Sequence, residues 1–231
     1  MKAVLRLCAT TIIALLVATQ AHALGLADLS NQDAAAGLKQ ALIKGSQAAV
    51  AALGKQDGFL KNERVKIPLP ESLHKVEGLM RGLGMGKYAD ELITTMNRAA
   101  ESAVVEAKPL LVNAVKNMSV QDARAILGGG QDAATQYFRR TTSAPLADKF
   151  LPIVAKATQK VKLADKYNAF AGKAARFGLV DAKDADLNSY VTRKTLDGLY
   201  LIIADEERKI RQNPAGAASG IISKVFGAIG K

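Results

Sequence analysis

Residues 196–211 read LDGLYLIIADEERKIR. Wound as a helix at about 100° per residue, they gather Leu196, Leu199, Ile202, Ile203 and Ile210 into one apolar stripe. Glu206 falls near the middle of that stripe, almost directly below Leu199. A carboxylate on the core side of a helix is costly unless it is paired. Three chemistries fit such a group: a general acid or base, a polar group facing a ligand held between helices, or one half of a buried ion pair. The ion pair is the expectation. Its partner would be an Arg or Tyr on a neighbouring helix, with Arg139 the choice, because Tyr137-Phe138-Arg139-Arg140 sets a cation in an otherwise aromatic and apolar stretch. Glu207 and Arg211, four residues apart, read as an ordinary surface pair worth a few tenths of a kcal/mol.

The rest of the chain offers little to a catalyst. It holds two His and one Cys. Cys8 and His22 fall in the N-terminal segment discussed below, which leaves His74 as the single imidazole. His74 sits opposite the apolar face of its helix, where a solvent-exposed side chain is expected. Zinc sites built from Cys and His are excluded by arithmetic, and no metal or cofactor is expected. A Ser-His-Asp triad would need His74, and there is no GxSxG elbow. Paired carboxylates could serve glycoside hydrolysis, but the chain has no Trp for a sugar platform. The glycine-rich stretch at residues 82–87, GLGMGK, lacks the four-residue insert of a phosphate loop, and Tyr88 follows where Ser or Thr is needed. It reads as a helix–helix turn. An enzyme is therefore not the expectation. A carboxylate-dependent hydrolase using Glu206 is the alternative.

The elements that would position these residues begin after an export signal. Lys2 and Arg6 precede an apolar run at residues 7–18, and Ala21-His22-Ala23 follows with small residues where a signal peptidase reads. The run is shorter than the roughly 20 apolar residues of a membrane span. Cys8 precedes it, whereas a lipidated Cys would follow it. Cleavage after Ala23 leaves a Cys-free chain with no transmembrane segment and two fewer positive charges than the +11 of the whole. A periplasmic location follows as an expectation. Without disulfides the protein depends on its core. The basic residues are spread along the chain with no block of five, so nucleic acid is not an expected partner; spare surface lysines, or an anionic envelope surface, account for the charge.

Ala, Leu, Lys and Gln at helical spacing, with strand-like runs nearly absent, predict an all-α fold: a single-domain multi-helix bundle over residues 24–214. The first helix is expected from Asn31 to Leu53, with Leu38, Ala41, Leu42, Gly45, Ala48, Ala49 and Ala52 inward. Arg64–Pro70, RVKIPLP, alternates with a period of two, and its prolines forbid a central strand. It reads as an extended arm laid across helices. Residues 71–83 resume helix with Leu73, Val76, Leu79, Met80 and Leu83 inward. Residues 87–117 continue it with Tyr88, Leu92, Met96, Ala99, Ala103, Ala107 and Leu110 in line, kinked or divided by Pro109. Ser119 and Asp122 look like a helix start, Gly128–Gly130 a stop, and Pro145 the first turn of a new helix. Residues 215–231 form a tail in which Ile221, Ile222, Val225, Phe226 and Ile229 line one face, an amphipathic helix expected to dock on the domain or on a partner.

Four segments together, KGSQAAVAALGKQDGFLKN, VKIPLPESL, ATQYFRRTTSAPLADKFLPIV and SYVTRKTLDGLYLIIADEERKIRQNP, resemble a bacterial family known as the domain of unknown function 4197 family. The likeness covers nearly the whole chain after the signal. It implies a single-domain exported protein of bacteria with an envelope, and it supplies no catalytic residues. The functional expectation is a non-enzymatic binding or interaction protein of the cell envelope, whose partner is an envelope protein or an amphiphile held between helices. A structural or assembly module docking through its C-terminal helix is a further alternative.

Overall fold

A computed structural model describes residues 31–213 except 85, 177–180, 182 and 183, together with Val225. The helices bounded by described residues are α1 (Asn31–Gly54), α2 (Glu71–Gly82), α3 (Gly86–Val104), α4 (Ala107–Lys116), α5 (Val120–Leu127), α6 (Ala133–Thr158), α7 (Lys162–Arg176) and α8 (Leu187–Gln212). No strand occurs among the described residues. The fold is all-α, as the periodicity predicts.

Local chemistry explains the boundaries. Ser119 accepts the Asp122 N–H while Asp122 accepts the Ser119 N–H, a reciprocal capping box that starts α5. Asp186 accepts the Ser189 N–H at the start of α8. Pro109 has no N–H, and its ring crowds the carbonyl four residues back, at Val105; the chain breaks at Val105 and Glu106, between α3 and α4. Pro145 behaves differently from its expected role as a helix start. It lies with Pro152 inside the 26-residue α6. The turn before Pro145 is laced by hydroxyls that donate to carbonyls four residues back: Thr141 to Tyr137, Thr142 to Phe138 and Ser143 to Arg139. Packing against its neighbours keeps α6 continuous where local propensity would have ended it.

α6 and α8 run antiparallel along their lengths. Thr135 near the start of α6 bonds to Glu207 near the end of α8, Thr142 meets Tyr200 at 2.9 Å, and Thr158 donates to Asn188 at 2.5 Å. α8 also packs on α1 and α3. With neighbours on several sides it buries far more than one stripe, including Tyr190, Val191, Thr195, Leu199, Tyr200, Ile203 and Glu207. On α1, Leu38, Ala41, Leu42, Gly45 and Ala49 are buried as expected, but Ala48 and Ala52 are exposed. Leu79, Leu83 and Tyr88, expected inward, are 65%, 67% and 43% exposed. They lie around the α2–α3 turn, where α3 is the main neighbour of α2 among the described residues. His74, Val76 and Met80 have no described side chains.

Between α1 and α2 the chain turns through residues 55–65 and then runs extended over residues 66–70. Val65, Ile67 and Leu69 are buried while Lys66 and Pro68 face out, the alternation expected of the arm.

Candidate functional site

The buried carboxylate of α8 is Glu207, one residue from the expected position. It accepts the backbone N–H of Ala134 at 3.0 Å and of Thr135 at 2.9 Å, and the Thr135 hydroxyl at 2.9 Å. Arg211 donates to it at 2.9 and 3.1 Å and also reaches the Ile126 carbonyl at 2.9 Å. The carboxylate thus fills the N-terminus of α6, where unpaired N–H groups and the helix dipole favour negative charge. Glu207–Arg211 is no surface pair: its side chains are 3% and 12% exposed.

The expected Glu206–Arg139 pair is not formed. The Glu206 Cβ lies over Gly45, where an added methyl would come within 3.5 Å of it. Its carboxylate turns outward to Lys209 at 2.6 Å. The stem follows the stripe and the charge leaves it. Arg139 instead lies over the Tyr200 ring at 4.7 Å and 3.6 Å from Asp197. Tyr137 donates to the Ala114 carbonyl at 2.8 Å, fixing α6 on α4; burial pushes its phenol above the ordinary range. These three candidates therefore do not form one site.

A second set of buried polar groups fixes the arm. On α3, Asn97 and Glu101 are one turn apart and share a face. Asn97 accepts the Ile67 N–H at 2.8 Å and donates to the Ile67 carbonyl at 2.9 Å, as a neighbouring strand would. Glu101 accepts the N–H groups of Phe59 and Leu60 at 3.1 and 3.2 Å and pairs with Arg98 at 2.7 Å. Arg98 also holds Asp57, which stands at φ 66°, a left-handed conformation that Asp tolerates better than most residues. Lys61, then Arg98, hold the Asp57 carboxyl below its usual range. From α8, Tyr190 donates to the Pro68 carbonyl at 3.0 Å, and burial pushes its phenol up to about 12. Asp205 bridges Arg64 of the arm and Arg208 of its own helix. Arg64, then Arg208, keep its carboxyl below the usual range, with burial opposing them. Gly198 allows the close approach: a methyl there would lie 2.8 Å from the Phe59 ring and 3.3 Å from the Val65 side chain.

The clasped arm forms a ridge between two open clefts. One, of about 470 Å³, lies between the arm, the first turns of α6 and one face of α8. Its lining includes the small or apolar residues Val65, Gly198, Leu201 and Ala204. Its walls carry Arg64, Lys66, Arg139, Lys194 and Arg208 against Asp132 and Asp197. On α8 the lining runs from Lys194 to Arg208, about 21 Å of helix. The other cleft, of about 570 Å³, lies between the arm, α2 and α3; Glu63, Glu77 and Asp90 face Lys66 and Arg81 there. Arg81 is bound by both Glu77 and Asp90. Lys66 and Pro68, the outward residues of the arm, line both clefts. Glu206 lines neither.

Sequence reasoning missed Asn97 and Glu101, and it placed Glu207 with Arg211 on the surface. The available signal was two polar residues at i, i+4 amid the apolar positions of α3, and an i, i+4 Glu–Arg pair closing α8.

Of the tail candidates, Val225 is fully buried within the hydrophobic core, while Ile221, Ile222, Phe226 and Ile229 lie outside the described residues. The N-terminal signal lies outside them too. Among the described residues no helix is long and apolar enough to cross a membrane, and no group of three His, Cys, Asp or Glu could hold a metal ion. No curated protein and no solved structure matches the chain. The model of one family, described as "Protein of unknown function (DUF4197)", matches residues 28–227. With that match spanning nearly all of its length, the chain belongs to the DUF4197 family.

Proposed function

We propose that the protein is a non-enzymatic binding protein of the cell envelope that takes its partner in the cleft between the arm and the α6–α8 pair. The observation that carries this reading is the cleft itself. Its lining combines small and apolar residues, Val65, Gly198, Leu201 and Ala204, with five cations, and the elements that carry them are tied together by side-chain bonds through Glu207, Asn97 and Tyr190. Such pre-formed concave sites with a few placed polar groups are where proteins bind. The charge pattern at residues 1–23 supports export. An amphiphile held between helices is supported less well, since both clefts are open and edged by charge. Hydrolysis by Glu206 is also supported less well, since its carboxylate is engaged by Lys209.

Site-specific photo-crosslinking in cells tests the reading. A photoreactive residue at Gln136, on the cleft wall, is expected to capture a discrete envelope component, whereas the same group at Lys160, in the α6–α7 turn, is not. Capture from position 160 with none from position 136 would overturn it.

A further inference from the structure

We infer that the occupant of this cleft is an extended acidic polypeptide segment, an inference that rests on the binding role proposed above. Five cations from three separate elements converge on one trough: Arg64 and Lys66 from the arm, Arg139 from α6, Lys194 and Arg208 from α8. Such a cluster of like charge is held together by the fold against its own repulsion, and a complementary anion relieves that repulsion. Asp205, shared by Arg64 and Arg208, and the lining carboxylates Asp132 and Asp197 offset three of these five charges, leaving an excess of two. The Arg139–Asp197 contact is long, at 3.6 Å, and open to water on both sides; an incoming carboxylate can replace it with a shorter bond to the guanidinium.

The chain's own ends do not meet this need. Residues 214–231 contain Lys224 and Lys231 and no acidic residue, and residues 1–30 hold Asp28 alone. The floor then separates peptide from polyphosphate and from lipid headgroups. Val65, Gly198, Leu201 and Ala204 give the middle of the trough an apolar base, about 9 Å of the roughly 21 Å between Lys194 and Arg208, and a strand of about six residues spans the whole trough. Such a strand puts alternate side chains down onto the floor and up toward the cations. A uniform polyanion would instead lay charge on that apolar floor and against Asp132 and Asp197. Three of the five cations are arginines, whose forked donors suit carboxylates.

Fluorescence anisotropy with an eight-residue peptide alternating Glu and Val tests this on the full chain after the signal. The peptide is expected to bind. Arg139→Glu and, separately, Lys194→Glu should each weaken it roughly tenfold or more, and Lys160→Glu, with the same change in net charge, should leave it unchanged. Equal losses for Lys160→Glu would reduce the binding to bulk charge and overturn the inference. Displacement of the peptide by long-chain polyphosphate or by phosphatidylglycerol vesicles at lower concentration, with the same variant pattern, would overturn the peptide while leaving the cleft as the binding site. Absence of any binding at the cleft, together with no capture from position 136, would remove both.

Discussion

Glu207 and Thr135 are 72 residues apart in sequence and joined by two hydrogen bonds, the backbone N–H and the hydroxyl of Thr135 both reaching the same carboxylate oxygen at 2.9 Å. The bond ties the end of α8 to the start of α6, and the cleft opens beside that junction. Glu207→Ala would orphan the Ala134 and Thr135 N–H groups and leave Arg211 without its carboxylate. Removing one partner of a buried pair costs about 3–5 kcal/mol. Denaturant unfolding should show a loss of that size, and Glu206→Ala, on the neighbouring position, less than about 1 kcal/mol. Equal effects at the two positions would contradict the assignment.

Asn97 does for the arm what Glu207 does for α6. Asn97→Ala leaves both polar groups of Ile67 buried without a partner, a loss of about 1–3 kcal/mol per group. Hydrogen exchange should show the Ile67 amide losing protection more than amides in the middle of α8. Unchanged protection at Ile67 would mean that the arm is held by packing alone.

Gly198 sets how closely the arm lies on α8. In Gly198→Ala the new methyl meets the Phe59 ring edge at 2.8 Å. Helix propensity favours Ala by about 1 kcal/mol, and crowding opposes it by about 1–3 kcal/mol. The variant should be destabilised or unchanged, with altered shifts of Phe59 and Val65 in NMR spectra. A more stable variant with unmoved Phe59 resonances would refute the close contact.

The Arg64–Asp205 tie should respond to acid. The folded Asp205 carboxyl titrates below its unfolded value. A depressed carboxylate contributes stability that is present above the unfolded pKa, about 4, and is lost as pH falls through the lower folded value. Stability should therefore decline below about pH 4, and Asp205→Asn should decline less steeply there. An Asn variant with the wild-type pH slope would show that Asp205 takes no part.

Much of the fold is legible in the residues. Helical periodicity gives the all-α class, Ser119 with Asp122 gives a helix start, and the alternation of residues 65–69 gives an arm with its apolar side inward. Glu207, not Glu206, is the buried carboxylate for a physical reason. A single apolar stripe describes a helix with one buried face, but α8 is flanked by α6, α1 and α3, so the side that looked like surface faces α6. Glu207 lies about 100° from Glu206 and meets α6 there. Pro145 misled because tertiary packing carries α6 through it. The cleft was not legible at all. Its cations come from residues 64, 66, 139, 194 and 208, and only the antiparallel pairing of α6 with α8 and the fixed arm bring them to one trough.

Chemical-shift mapping of the isotope-labelled protein with the acidic peptide tests the central claim most directly. Perturbations are expected to be confined to the amides around Lys66, Gln136, Arg139 and Leu201. Perturbations centred instead on Leu79, Leu83 and Tyr88, or on the opposite cleft at Glu77 and Asp90, would contradict it.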